Sequence, residues 1–297
     1  MKHILITGVG GNVGQYLAEK LSVDGYSVIG VYRRSIPRNY SYKLVQADLA
    51  ERELDLTDID TVIHVAAGLS GSTKRLIRDN VDSTMNLVKF AEKTKVNRFI
   101  YLSTVSVYGF INGELDIDSD IINPEIYGIT KYIAENLVKE ADIPMRMVIS
   151  LPRMLGPFVD LNTTYSSGFL TMAKKILKGE SVTCFIPNVL YNNYMHVSDL
   201  TSFLTVILNN EQKCGYIKVI LGVKEKLEML EILHIMKDAI QSKSEIIVGN
   251  FEEPAKCALV SIDDAVRMGY NPMSAEKVLY NFMQEIERMN DRLLVHV

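Results

Sequence analysis

Tyr127 and Lys131 stand four residues apart in the stretch YGITK, just after the turn-like Asn123-Pro124-Glu125. Residues at this spacing share one face of a helix. The pair therefore either decorates an exposed helix or places a phenol beside a cation. A nearby ammonium favours the phenolate and lowers a tyrosine from its ordinary pKa of about 10. Such a phenol can give or take a proton near neutral pH. Upstream, LSTVSVYG sets the hydroxyls of Ser103, Thr104 and Ser106 at the end of an apolar run. One of them beside Tyr127 would hold a substrate oxygen.

A second chemical signal lies at the other end of the chain. TGVGGNVG brings Gly8, Gly10, Gly11 and Gly14, with Asn12 and Val13, between the apolar run HILIT and a helical pattern. Gly8 allows a tight turn, Gly11 lets a pyrophosphate approach the backbone, and Gly14 lets the helix pack close to the strand. The helix N-terminus adds free N–H donors and the positive end of a dipole. The alternative is a glycine-rich turn without a ligand. With a dinucleotide in place, Lys131 could also hydrogen-bond the nicotinamide ribose. The second strand ends on Tyr32, Arg33 and Arg34, with no carboxylate for a ribose 2′-hydroxyl. Two guanidiniums there suit a 2′-phosphate, so NADP(H) is expected over NAD(H); otherwise they are solvated loop arginines.

These residues need a scaffold. Apolar runs at 3–7, 26–32, 43–49, 61–67, 98–104 and 145–152 read as strands. Helical spacing appears from 12 to about 25, at 83–95 and at 126–141. Strands that are apolar throughout are buried on both faces, and their alternation with helices predicts an α/β fold with a doubly wound parallel sheet of Rossmann type. After Pro157 the pattern loosens into helices at 167–180, 226–241 and 274–289, a helix following NNYMHV, and strands at 216–222 and 245–249. A dinucleotide-binding domain is expected over 1–157, rejoined by about 190–222. Residues 158–189 and 223–297 are expected to form a smaller α/β substrate-binding lobe, with unreadable loops at 158–168 and 185–193.

The 297 residues allow one or two domains. Lys and Arg total 32 against 36 Asp and Glu, so no basic surplus invites nucleic acid. Cys184, Cys214 and Cys257 lie far apart without metal-ligand spacing, and no metal site is expected. The odd cysteine count and the lack of a long apolar run predict a cytoplasmic protein free of the membrane. MKHILITG reads as a buried strand rather than a signal peptide. His64 and His196 read as satisfied strand-end histidines, and the leucine and methionine stripe at 227–236 as core.

Taken in order, TGVGGNVG, ADL (47–49), HVAA (64–67), NVDSTMNLVKFA (80–91), LSTVSVYG (102–109), YGITK (127–131), PRMLGP (152–157), YMHVSDL (194–200) and GYNP (269–272) resemble the extended short-chain dehydrogenase/reductases of the nucleotide-sugar epimerase/dehydratase type. The resemblance spans nearly the whole chain. It implies Tyr127 as catalytic acid/base, Lys131 as its electrostatic partner and Thr104 as the catalytic hydroxyl. It places Asp48 and Leu49 beside the adenine, Ala66, Ala67 and Gly68 along the cofactor, and Pro152 near the nicotinamide. Asn80 would support the active-site region, or simply cap a helix, as Asp48 could cap a loop. The resemblance also implies a homodimer paired through the helices near 83–95 and 127–141.

It narrows the reaction. Dehydratases of this type carry an acidic pair directly after the catalytic threonine, where this chain has Val105 and Ser106; dehydration is set aside. Arg33 and Arg34 tilt the reading toward an NADPH-dependent reductase of a 4-keto sugar nucleotide, with an NAD-dependent 4-epimerase as the alternative. Two departures concern the small-molecule substrate. Asn192 stands where an arginine often meets the diphosphate, and Arg153 where an asparagine often touches the substrate. Arg153 would then bind the diphosphate from a different element, or the substrate is a small ketone or aldehyde. A non-catalytic NADP sensor is a further reading, against which Thr104, Tyr127 and Lys131 argue.

Overall fold

The computed structural model describes residues 3–38, 40–156, 168–210, 214–249 and 257–295. The chain divides into two compact units. The first comprises Met1–Phe110, Ile117–Leu151 and Thr201–Ile220; the second comprises Ile111–Asp116, Pro152–Leu200 and Leu221–Val297. Residues 152–157 and 190–200, read from sequence with the dinucleotide-binding part, thus fall in the second unit. The reason is visible in their pairing: strand Arg153–Leu155 runs parallel to strand Tyr194–His196, apart from the main sheet. Most of the unreadable loop at 158–168 lies outside the described residues.

The first unit is built on seven parallel strands: β1 (His3–Thr7), β2 (Ser27–Tyr32), β3 (Lys43–Gln46), β4 (Ile59–His64), β5 (Arg98–Thr104), β6 (Met145–Leu151) and β7 (Gly215–Ile220). Their spatial order is β3-β2-β1-β4-β5-β6-β7. This is the doubly wound arrangement expected from the sequence. The strand order reverses beside β1, where such sheets open a crevice at their carboxyl ends. Six of the seven residues of β5, and of β6, are buried, whereas edge strand β3 has none. That gradient explains the uninterrupted apolar runs in the middle of the sheet.

Three helices hold the sheet from the flanks: α1 (Asn12–Val23), α2 (Ser83–Lys93) and α3 (Ile126–Lys139). Leu87, Phe90 and Ala91 of α2 and Ala134 and Val138 of α3 join Leu5, Val62, Phe99 and Val148 of the strands in one core. Each fully buried large side chain contributes about 1.5–3 kcal/mol. The helix preceding α2 begins earlier than its apolar spacing suggests. A short α-helical turn, Thr73–Leu76, is capped by the Ser72 hydroxyl and runs into a π-helical turn at Ile77–Asp82. Such turns often occur at functional sites, and this one carries Asp79 and Asn80.

The second unit has its own core. Phe169, Leu170 and Ala173 of helix Gly168–Leu177 pack with Ile232, Leu233 and Met236 of helix Met229–Ala239 and with Phe282, Met283 and Ile286 of helix Ala275–Val295. The Leu227–Met236 stripe is largely buried there, as its spacing predicts. Four two-stranded pairs complete the small strands. No described helix is long and apolar enough to cross a membrane.

Candidate active site

The glycine loop closes the carboxyl end of β1. Gly8 adopts a left-handed φ of 73°, and a Cβ there would lie 2.8 Å from the backbone of Ala66. A Cβ on Gly14 would lie 2.3 Å from the Gly8 carbonyl oxygen, so the first turn of α1 packs directly on the loop. Gly11 precedes the helix and supplies no side-chain cap. The exposed Gly10 and Gly11 leave backbone on the surface beside the partly exposed Asn12 and Val13. This is a cradle that side chains would fill, and it fits the pyrophosphate of a dinucleotide.

The end of β4 is tied to that loop by a residue overlooked in the sequence, Thr7. Its hydroxyl oxygen accepts hydrogen bonds from the N–H groups of Val65 and Ala66, both at 3.1 Å, and lies 2.7 Å from His64 Nδ1. Nε2 of His64 lies 3.0 Å from Thr84 Oγ1, which donates to the Asn80 carbonyl at 2.6 Å. Thr84 therefore accepts from Nε2–H, and Thr7 donates to Nδ1. Burial, aided by the charge of Lys131, pushes His64 down to about 3. His64 is a neutral structural link, in accord with its reading as a satisfied histidine.

Beyond β4, Ala66, Ala67 and Gly68 are partly or fully exposed. Asn80 fixes this stretch from the π-helical turn. Its Oδ1 accepts from Gly68 N–H at 2.7 Å, and its Nδ2 donates to Gly68 O at 3.0 Å and Thr130 Oγ1 at 2.9 Å. Asn80 is 1% exposed, so its amide supports the stretch after β4 from behind rather than facing outward. Nor does it cap a helix; it clamps the residues that do form the surface.

Arg33, read from sequence as a partner for a 2′-phosphate, is engaged by an acid. Its guanidinium donates to both carboxylate oxygens of Asp79, at 2.6 and 3.3 Å. Arg75 and Arg78 converge on the same carboxylate. Burial alone would raise Asp79, but the Arg33 hydrogen bonds and the two guanidinium charges hold it below the ordinary carboxylate value. Arg33 is thus compensated by an acid that lies 46 residues away. Arg34 is exposed. Asp48 accepts from Arg78 at 2.7 Å and from Ala50 N–H at 3.2 Å, beside buried Leu49. The loop-cap reading of Asp48 therefore applies alongside any contact with an adenine.

The tyrosine–lysine pair sits at the start of α3. Gly128 explains its placement: a Cβ there would come within 2.2 Å of the Ser106 carbonyl oxygen. The helix can therefore press its first turn against the segment that follows β5. Thr104 ends β5 in the partly exposed class, as does Tyr127. Thr104 Oγ1 accepts from Ser106 N–H at 3.1 Å and bonds its hydroxyl at 3.2 Å. Ser103, the third hydroxyl, is buried and donates to Glu135 instead. Lys131 is 2% exposed; its ammonium donates to Leu102 O at 2.7 Å and lies 4.1 Å above the Tyr101 ring. Burial pushes it down to about 7, partly offset by the charge of Glu135. An ammonium has three donors, so it can also serve a ribose hydroxyl.

Residues 4–220 match the model of the NAD dependent epimerase/dehydratase family. The chain belongs to this family. It is an NAD-dependent enzyme of the extended short-chain dehydrogenase/reductase type. A Methanocaldococcus jannaschii protein named "Putative UDP-glucose 4-epimerase" is 24% identical over 91% of this chain and 93% of its own length. Among solved structures, MoeE5 with UDP-glucuronic acid and NAD aligns at a TM-score of 0.81, with 21% identity, over 97% of this chain and 100% of that one. UDP-glucose 4-epimerase from Thermotoga maritima, solved with UDP-glucose, aligns at 0.80, with 20% identity, over 97% and 99%.

Against the epimerase/dehydratase pattern, the second unit holds the remaining anticipated residues. Pro152 is buried directly after β6. Arg153 is exposed, with its guanidinium carbon 5.5 Å from the Phe169 ring centre. Asn192 is buried, and its amide pairs both ways with Val260: Nδ2 donates to the carbonyl and Oδ1 accepts from the N–H, each at 2.8 Å. Asn192 is therefore a clamp on strand Ala258–Val260 rather than a substrate contact. His196, likewise satisfied, bonds Ser198 at 2.7 Å and Glu285 at 3.2 Å.

Proposed function

We propose that this enzyme is a nucleotide-sugar 4-epimerase that keeps NAD bound and uses Tyr127 as its acid/base. The observation that supports the reading is the packing of α3 on the end of β5, with Gly128 against the Ser106 carbonyl and buried Lys131 bonded to the Leu102 carbonyl, in a doubly wound sheet whose glycine loop suits a dinucleotide. Gly8, Gly10, Gly11, Asn12, Val13 and Gly14 would hold the pyrophosphate, with Asp48, Leu49, Ala66, Ala67 and Gly68 alongside. Bound nicotinamide would supply the hydride acceptor and donor. Tyr127 Oη would take the proton of the sugar hydroxyl as its carbon is oxidised and return it on reduction. The Lys131 charge favours the phenolate that this requires, and Thr104 Oγ1 would hold the sugar oxygen. Tyr127 acts in both directions, as microscopic reversibility demands of a double hydride transfer.

The NADPH-dependent reductase reading rested on free guanidiniums after β2. The commitment of Arg33 to Asp79 weakens it, and the UDP-sugars and NAD named with the neighbouring structures favour the epimerase. Exposed Arg34 keeps the reductase as a second reading. Incubating the purified protein with UDP-hexoses separates the two. The 4-epimer should form without added cofactor and without net loss of NADPH absorbance. Stoichiometric NADPH oxidation on a 4-keto sugar nucleotide would instead support the reductase. Exposed Arg153 is the candidate for a substrate phosphate.

A homodimer belongs to the same proposal. Ile129, Tyr132 and Ile133 expose apolar area on the outer side of α3. Tyr132 and Ile133, with Val88 and Glu92 of α2, border a shallow apolar groove, which suits a second copy. A sedimentation mass near one chain, 33.4 kDa, would contradict the pairing.

A further inference from the structure

Tyr127, Lys131 and Glu135 recur at four-residue intervals on α3. The last of them is not used by the proposed chemistry, yet it is a carboxylate only 3% exposed. Lys131 and Glu135 meet consecutive residues of β5: the ammonium bonds the Leu102 carbonyl, and the Ser103 hydroxyl donates to Glu135 Oε1. Glu135 Oε2 accepts from Lys218 Nζ at 2.8 Å, reaching it from β7, two strands away. Lys218 in turn lies 4.7 Å above the Tyr108 ring and is 15% exposed at its side chain. Three charges of alternating sign are thereby embedded behind the tyrosine, with both oxygens of the central one fixed.

We propose that Glu135, held by Ser103 and Lys218, is a positioning residue that sustains the charge on buried Lys131 and so sets the pH range over which Tyr127 works. The second half of this rests on the proposed acid/base role of Tyr127; the first half does not. A fully buried ammonium with one carbonyl and one aromatic face is poorly compensated, and a carboxylate one helical turn away is the nearest remedy. Burial would lower Lys218 as well, but the charge and hydrogen bond of Glu135 hold it above the ordinary lysine value. Glu135 and Lys218, bonded to each other, therefore present Lys131 with opposite charges, the carboxylate favouring its ammonium and the second cation opposing it.

The other titratable neighbours do not replace Glu135. Lys131 is faced by His64 from β4, which stays neutral, by Tyr101 from β5, which burial keeps protonated, and by Tyr127 on its own helix. Glu135 is faced by Tyr216 from β7 and lies near the Tyr108–Lys218 contact. Asp79 of the π-helical turn is held by three arginines, Glu92 of α2 by the Asp142 N–H, and Arg146 of β6 donates to Ala141 O.

Lys131 assists Tyr127 only while protonated, so activity that depends on it is present below its pKa and is lost as pH rises through it. Glu135→Gln keeps the shape and removes the negative charge. The Lys131 titration should move down by about one pH unit or more. Lys218→Met removes the competing cation and should move it up. The double variant should fall between the singles, and it guards against a Glu135→Gln protein that fails to fold. The titration is read by NMR on lysine-labelled full-length protein without cofactor, the Lys131 signal being identified by its loss in Lys131→Met. The high-pH limb of kcat should shift in the same order. An unmoved Lys131 titration in Glu135→Gln, or shifts of the same sign in both single variants, would overturn the proposal. NMR shifts without a matching shift in the kcat profile would uphold the charge assignment and overturn the pairing of Lys131 with Tyr127.

Discussion

Replacing Tyr127 with Phe should lower kcat by about 10²–10⁴-fold, the contribution typical of a positioned acid/base. That range equals roughly 3–5 kcal/mol of barrier. Tyr127 is partly exposed at the head of α3, so the loss of its hydroxyl leaves the core packing intact. Cofactor affinity and melting temperature should therefore stay near those of the parent. The separation matters because Lys131, four residues on, is fully buried. Its replacement would disturb packing and chemistry together. A loss in Tyr127→Phe of less than about tenfold would remove the phenol from the chemistry.

The second large effect is expected from Gly14→Ala. The added Cβ would stand 2.3 Å from the Gly8 carbonyl oxygen and 2.7 Å from its carbon. Both are backbone atoms of the same loop, so α1 must move off the strand. Overpacking of this kind costs about 1–3 kcal/mol, or roughly 2–10 °C in Tm for a protein of this size. The loop that would cradle the pyrophosphate is displaced in the same movement. NAD should thus raise the parent Tm and fail to raise that of the variant, since a ligand stabilises only the state it binds. A variant that keeps the full NAD-induced shift would show that the cradle lies elsewhere.

The parts of this site legible in the sequence are those set by neighbours along the chain. The glycine loop needs only a strand before it and a helix after it, and both carry their own periodicity. Tyr127 and Lys131 are related by helical spacing alone. What the local sequence does not show depends on distant partners. Arg33 looked free because Asp79 lies 46 residues away, and Asn192 looked available because Val260 lies 68 residues away. Lys218 reaches Glu135 across a separation of 83 residues, and no local pattern announces it.

Secondary structure follows the same division. The long buried strands and amphipathic helices stand where their apolar spacing puts them, except that β3 ends at Gln46 while Ala47 and Leu49 beyond it remain buried. The π-helical turn at Ile77–Asp82 has no sequence period of its own. The three-residue strands Gly113–Leu115 and Ala258–Val260 pair with each other across the chain. Each is too short to display alternation, and each forms only because the other is present.

The most direct measurement follows the hydride. A UDP-hexose deuterated at C4 is turned over by NAD-loaded protein, and the label is traced by mass spectrometry. The account predicts that the 4-epimer keeps its deuterium in the parent enzyme and that Tyr127→Phe forms almost none of it. Epimer that has exchanged its C4 deuterium for solvent hydrogen, or product formed equally by Tyr127→Phe, would contradict it.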